Sequence, residues 1–118
     1  MGQSISSGEQ LCAQIDRLSM GPPNCHELIG EHGYALMMGI GRTLGCVQHS
    51  REDGEPPYLL ATTPDAKRSG NGEIEFVMGG TATPIRKRYC LPLDTIKKIA
   101  VHFLETGERS HAVEWEHA

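Results

Sequence analysis

Four glutamates stand in pairs at alternate positions, Glu73 with Glu75 in GEIEFVM and Glu114 with Glu116 in HAVEWEH. Two neighbouring carboxylates can divide acid and base roles when a cleft raises the pKa of one of them. Period-two alternation instead turns these four away from Ile74, Phe76 and Met78 and from Val113 and Trp115, onto the polar sides of two half-buried strands. Such a face has two readings. It is a solvated surface with Arg86 and Arg88 interleaved as cross-strand partners, or an acidic docking surface for a basic protein. The acidic loop of Glu52, Asp53 and Glu55 would serve the second reading.

Other constellations carry less chemistry. Cys90 follows Arg86, Lys87 and Arg88, whose charge would favour a thiolate, but no base or orienting group is signalled near it. GIGRTLG places Gly39, Gly41 and Gly45 in a loop-like run, yet the residues after it read as a strand rather than the helix a phosphate loop needs. Cys25-His26 and His111 with His117 are the nearest clusters of metal-ligand types. No Cys-x-x-Cys pair accompanies them, and no metal site or cofactor is expected.

The chain has 118 residues, enough for one core, and its apolar fraction of 38% with few aromatics rests that core on Leu, Ile, Val and Met. The net charge of −4 is uneven: Arg86, Lys87, Arg88, Lys97 and Lys98 make a basic segment between two acidic ones. No dominant basic face for nucleic acid results. Cys12, Cys25, Cys46 and Cys90 are widely spaced, and the polar start of the chain shows neither leader nor anchor. Reduced thiols, a cytoplasmic location and no membrane contact are expected.

The elements that must position these residues follow from periodicity. Ser6 or Ser7 caps a helix through Leu11, Ile15 and Leu18, closed by Gly21-Pro22-Pro23. Asn24 to His32 is read as a two-turn helix. YALMMGI, TLGCVQH, YLLATT and EIEFVM are strands of an antiparallel meander, with HSREDGEPP and TPDAKRSGNG as hairpin-type loops. IRKRYC adds a strand. Leu93, Ile96, Ala100, Phe103 and Leu104 then form a helical stripe, with Pro92 at its start and Gly107 as its left-handed cap. Val113 and Trp115 face inward on the last strand; the indole packs under the helix or, if exposed, anchors a partner.

The run from Gly72 to Glu116 resembles the first-named immunity protein family of bacterial polymorphic toxin systems. The likeness rests on an apolar strand with Phe76 ending at Gly79 or Gly80, on Leu91-Pro92-Leu93, on Phe103 followed by Thr106-Gly107, and on Val113 with Trp115. Ser110-His111 departs from the family's frequent proline, so the last strand is expected to enter the sheet differently. The first 33 residues carry no part of the likeness. The resemblance implies a cytoplasmic protein encoded beside a toxin, which binds the toxin's C-terminal catalytic domain and blocks it; nucleic-acid deaminases are among such toxins.

The expected fold is a single α+β domain over residues 1–118, with 1–10 as a candidate disordered segment. It has an antiparallel sheet of five or six strands, an N-terminal helix, and a C-terminal helix followed by a final strand. The expected function is non-catalytic toxin binding, in a one-to-one complex, through Glu73, Glu75, Glu114, Glu116, Glu52, Asp53 and Glu55. The structural residues are Trp115, Gly107, Phe103, Phe76 and Pro92. The alternatives are a small enzyme using Cys90 or a carboxylate pair, and a scaffold or regulatory domain.

Overall fold

A computed structural model describes residues 7–21, 24–30, 32–68, 70, 72–78 and 80–117. Ser7 caps the first helix, α1 (Gly8–Ser19), its hydroxyl accepting from the Gln10 amide at 3.2 Å. Residues 8–10 of the segment expected to be disordered are therefore helical; residues 1–6, with Ser6, lie outside the described residues, as do Pro22, Pro23, Ser69, Asn71 and Gly79. Leu11 and Ile15 are buried against α3 (Leu93–Thr106), and Lys97 bridges the two helices to Asp16 at 2.5 Å.

Between the helices run β1 (Asn24–Ile29), β2 (Tyr34–Ile40), β3 (Leu44–Arg51), β4 (Leu59–Thr62), the short α2 (Pro64–Lys67), β5 (Glu73–Met78), β6 (Thr81–Arg86) and β7 (Leu91–Pro92). After α3 comes β8 (Glu114–His117). The architecture is α+β. The sheet is larger than expected and mixed: eight strands among the described residues, in the order β6-β5-β1-β2-β3-β4-β8, with β7 paired to β3.

Three expectations are corrected. Asn24–Ile29 is a strand, not a helix, because all six of its residues pair antiparallel with β2; its adjacent Leu28 and Ile29 then point to opposite faces. The meander holds from β2 to β4, but β5 leaves it and joins β1 in parallel at Asn24 and Val77. IRKRYC is not one strand. β6 ends at Arg86, and Lys87–Tyr89 form a 3-10 turn. The strand starts earlier, at Thr81, where a proline-containing polar run is tolerated because β6 is a sheet edge.

The link between β6 and β7 forces the sheet to curl. Laid flat, the path from β6 through β5, β1, β2 and β3 to β7 would span about 24 Å at roughly 4.8 Å per strand. Residues 87–90 reach at most about 18 Å fully extended, and a 3-10 turn shortens that. The β5–β6 hairpin therefore folds over the far side of β2 and β3. Phe76 on β5 reaches Gly39 on β2 and Cys46 on β3, and a Cβ at Gly39 would sit 2.7 Å from the Cys46 sulfur and 3.0 Å from the Phe76 ring. Gly39, read in the sequence as part of a turn, is a strand residue whose missing side chain makes room for Phe76.

Two apolar layers result. Leu36, Met38, Ile40, Val47 and Ala61 face α1 and α3. On the opposite face Cys46, Phe76 and Cys90 are buried, with Leu44, Ile74 and Ile85 around them.

Candidate functional site

At the end of α3 the helix layer stops short of the sheet. Gly107 caps the helix at φ 74°, donating its amide to the Phe103 carbonyl at 2.7 Å. The chain then turns back through Ser110 to β8, leaving a groove of about 640 Å3. Its floor is aromatic: Tyr34 from β2, His49 from β3 and Trp115 from β8. Tyr34 stacks on His49 at 4.9 Å between centroids, and His49 meets Phe103 and Trp115 edge-on, each at 6.0 Å.

Trp115 takes up the packing that the first of its two readings expects. Its ring packs against the helix-side core, and it is also half-buried in the groove wall. Its indole N–H donates to the Ser110 carbonyl at 3.0 Å, while the Ser110 hydroxyl accepts from the Ala112 amide at 3.1 Å. Ser110, which stands where proline was expected, thus ties the entry of the last strand to its tryptophan.

His49 is buried, and its pKa is pushed down to about 4, first by burial and then by the Arg109 charge. The folded value lies below the ordinary 6.5, so the unfolded chain binds more protons between them and acid destabilises the fold. This contribution is complete above pH 6.5 and is lost as pH falls towards 4. Urea melts of His49→Gln and the parent should differ in pH slope across that window; parallel slopes would contradict it.

Pro56 and Pro57, from the loop Glu52–Tyr58, line one side of the groove. The Arg51 guanidinium pairs with Asp53 at 2.7 Å, the other Asp53 oxygen accepts from the Glu55 amide at 2.9 Å, and the Glu52 amide donates to the Gly33 carbonyl at 2.8 Å. The Tyr58 hydroxyl donates to the Gly54 carbonyl. Asp53 is held at a depressed pKa, chiefly by the Glu55 amide and then by Arg51. Glu52 and Glu55 carry no ion pair among the described residues.

The paired glutamates lie elsewhere. Glu114 and Glu116 project from β8 towards α2 and the 3-10 turn. Lys67 bonds Glu114 at 2.5 Å and lies 3.5 Å from Glu116, which also accepts from Arg88 at 2.7 Å and from the Tyr89 hydroxyl at 3.0 Å. Burial alone would raise the Glu116 pKa, but the Tyr89 and Arg88 bonds outweigh it and hold it low. Glu73 stands opposite Arg86 in the β5–β6 register and shares a cleft with Lys67, Arg86 and Arg88. The curl brings the two glutamate strands towards one patch of mixed charge, which period-two reading of separate strands did not reveal. Arg88 does act as a partner, but from a turn and not from a strand.

A family model described as immunity protein Imm1 matches residues 4–117. The chain belongs to the Imm1 family. No curated protein and no solved structure gives a match. The Imm1 match runs through α1 and β1, so the family pattern extends over residues 4–33, where the sequence alone offered no likeness. The positions that carried the resemblance are mostly architectural in this Imm1 fold: Phe76 and Phe103 are buried, Pro92 caps α3, and Gly107 turns its end.

Thiol chemistry finds no support in this Imm1 chain. Burial raises the Cys90 pKa more than Lys87 lowers it, and its sulfur lies 3.5 Å from the Arg86 carbonyl in the second apolar layer. Cys46 beside it is pushed up to about 12, mainly by burial. Neither is poised as a nucleophile. Among the described residues no three His, Cys, Asp or Glu gather as a metal site, and no helix is long and apolar enough to cross a membrane.

Proposed function

We propose that this protein is a non-catalytic, cytoplasmic inhibitor that binds the C-terminal catalytic domain of a cognate bacterial toxin, in a one-to-one complex, and blocks it. The observation that carries this reading is the Imm1 match over nearly the whole chain. A nucleic-acid deaminase is the toxin class proposed, on the resemblance of the C-terminal half. Such a domain handles polyanions with basic residues around its cleft, so an inhibitor gains from acidic side chains that complement them.

Of the carboxylates proposed for this contact, Glu52, Glu55, Glu73 and Glu75 carry no ion pair among the described residues, whereas Glu114 and Glu116 already hold Lys67 and Arg88 and Asp53 holds its loop. Charge reversal should separate the two groups. Glu75→Lys is expected to leave the melting temperature unchanged, while Glu116→Lys sets a third cation beside Lys67 and Arg88 and lowers it. Equal melting temperatures for the two variants would contradict this division.

Co-expression with the toxin encoded beside it tests the function. Cells carrying both should grow, and cells carrying the toxin alone should not. Equal killing with and without the protein would overturn the reading.

A further inference from the structure

We propose that Cys46 and Cys90 are a dithiol that a small-molecule disulfide oxidises to a cross-strand bond between β3 and the start of β7, pinning the link that curls the sheet. The β3–β7 register places them. Leu44 stands opposite Pro92 and Gly45 opposite Leu91, so the next step of the same antiparallel ladder sets Cys46 opposite Cys90. Cys90 is extended, at φ −98° and ψ 117°, and so continues the strand by one residue.

Hydrogen-bond alternation decides which kind of pair this is. The Leu93 amide donates to the Thr43 carbonyl at 3.3 Å, so positions 43 and 93, like 45 and 91, exchange the ladder bonds, and Cys46 with Cys90 takes the non-hydrogen-bonded place between such pairs. The Cys90 amide agrees, because it turns from β3 and donates to the Lys87 carbonyl at 2.9 Å. Pairs of this kind bring their α-carbons to about 4.5 Å, within the span of a disulfide. Both side chains also leave the sheet on one face: they are buried together in the layer of Phe76, while Leu91 lies in the opposite layer.

The other two cysteines do not compete. Cys25 stands opposite Gly39, which stands opposite Cys46, so two strand spacings of roughly 4.8 Å separate Cys25 from Cys46, too far for a bond. Cys12 lies on α1, which packs on the helix-side layer.

In the reduced protein the Cys46 sulfur leans over β2, where the missing side chain of Gly39 leaves it room. Closure requires that thiol to rotate about its Cα–Cβ bond towards β7. Burial keeps both thiols protonated in the closed fold, which excludes a catalytic role and makes exchange wait for local opening of residues 87–90. Cys90 reacts first, since Lys87 favours its thiolate. It attacks one sulfur of the oxidant and expels the other as a thiolate; the Cys46 thiolate then attacks the Cys90 sulfur of the mixed disulfide and expels the second. With oxidised glutathione, two protein thiols become one disulfide, and two reduced glutathiones carry off the electrons and protons. A reducing environment keeps the pair open, and a rise in the disulfide pool closes it.

The full chain is treated with oxidised glutathione, alkylated, digested and mapped by mass spectrometry. The expected product is a chain lighter by two hydrogen atoms with Cys46 joined to Cys90. The variant Cys12→Ser/Cys25→Ser, changed only at two half-buried thiols, should form the same bond. Its melting temperature should rise by about 5 °C or more on oxidation and return with dithiothreitol. The urea-unfolded parent, treated alike, should give a mixture of pairings, because only the fold sets Cys46 opposite Cys90. No linked product, a bond through Cys12 or Cys25, the same mixture from folded and unfolded chains, or an oxidised form that melts below the reduced one would overturn the proposal.

Discussion

Phe76→Ala should lose about 3–5 kcal/mol of folding stability, a large part of what a domain of this size possesses. The ring is 1% exposed and is the largest side chain of the layer beneath the curled hairpin. Gly39 leaves the space for it, so no neighbouring side chain is positioned to refill the cavity. Urea denaturation measures the loss, and thiol labelling adds an independent readout. Cys46 and Cys90, buried in the parent at 3% and 6% exposure, should become reactive as the hairpin loosens. A loss under about 1 kcal/mol with both thiols still protected would contradict the packing of β5 over β2 and β3.

Trp115→Ala is the second large effect, expected at about 3 kcal/mol. It removes packing against the helix-side core, the edge contact with His49 and the bond to the Ser110 carbonyl that anchors the last strand. Trp115→Phe keeps most of the ring and loses only the N–H bond, at a cost of about 1 kcal/mol. The pair separates roles: protection lost in the alanine variant alone follows from unfolding, while protection lost in a folded phenylalanine variant places the indole in the interface. Equal stability of the alanine variant and the parent would show that the final strand is not held by its tryptophan.

Much of this was legible in the sequence where one physical cue dominated. Ser7, the Leu11–Ile15 spacing, the stripe from Ile96 to Phe103 and the glycine at 107 set both long helices. The alternating runs gave β2 to β5. Asn24–Ile29 was not legible, because only Leu28 of its six residues is buried and its conformation comes from pairing with β2, a contact distant in the chain. The curl was hidden for the same reason. It follows from a four-residue link and from a glycine opposite a phenylalanine, neither of which has a local signature.

The candidate site divides likewise. The acidity of Glu52 and Glu55 and the presence of Trp115 were plain, but the groove beside Trp115 needs Tyr34, His49 and Arg109 from three other parts of the chain. An aromatic and a histidine, Tyr34 at the start of one strand and His49 near the end of the next, were the available signal. They become neighbours only once the β2–β3 register sets Leu36 opposite His49.

The most direct test of toxin neutralisation uses two purified proteins. The catalytic domain of the toxin proposed as its partner is assayed on the substrate that toxin attacks while this protein is titrated in, and the mixture is sized by light scattering. The expected result is loss of activity that is complete at one equivalent, with a single complex of summed mass. Full toxin activity at molar excess, with the two proteins scattering separately, would contradict the account.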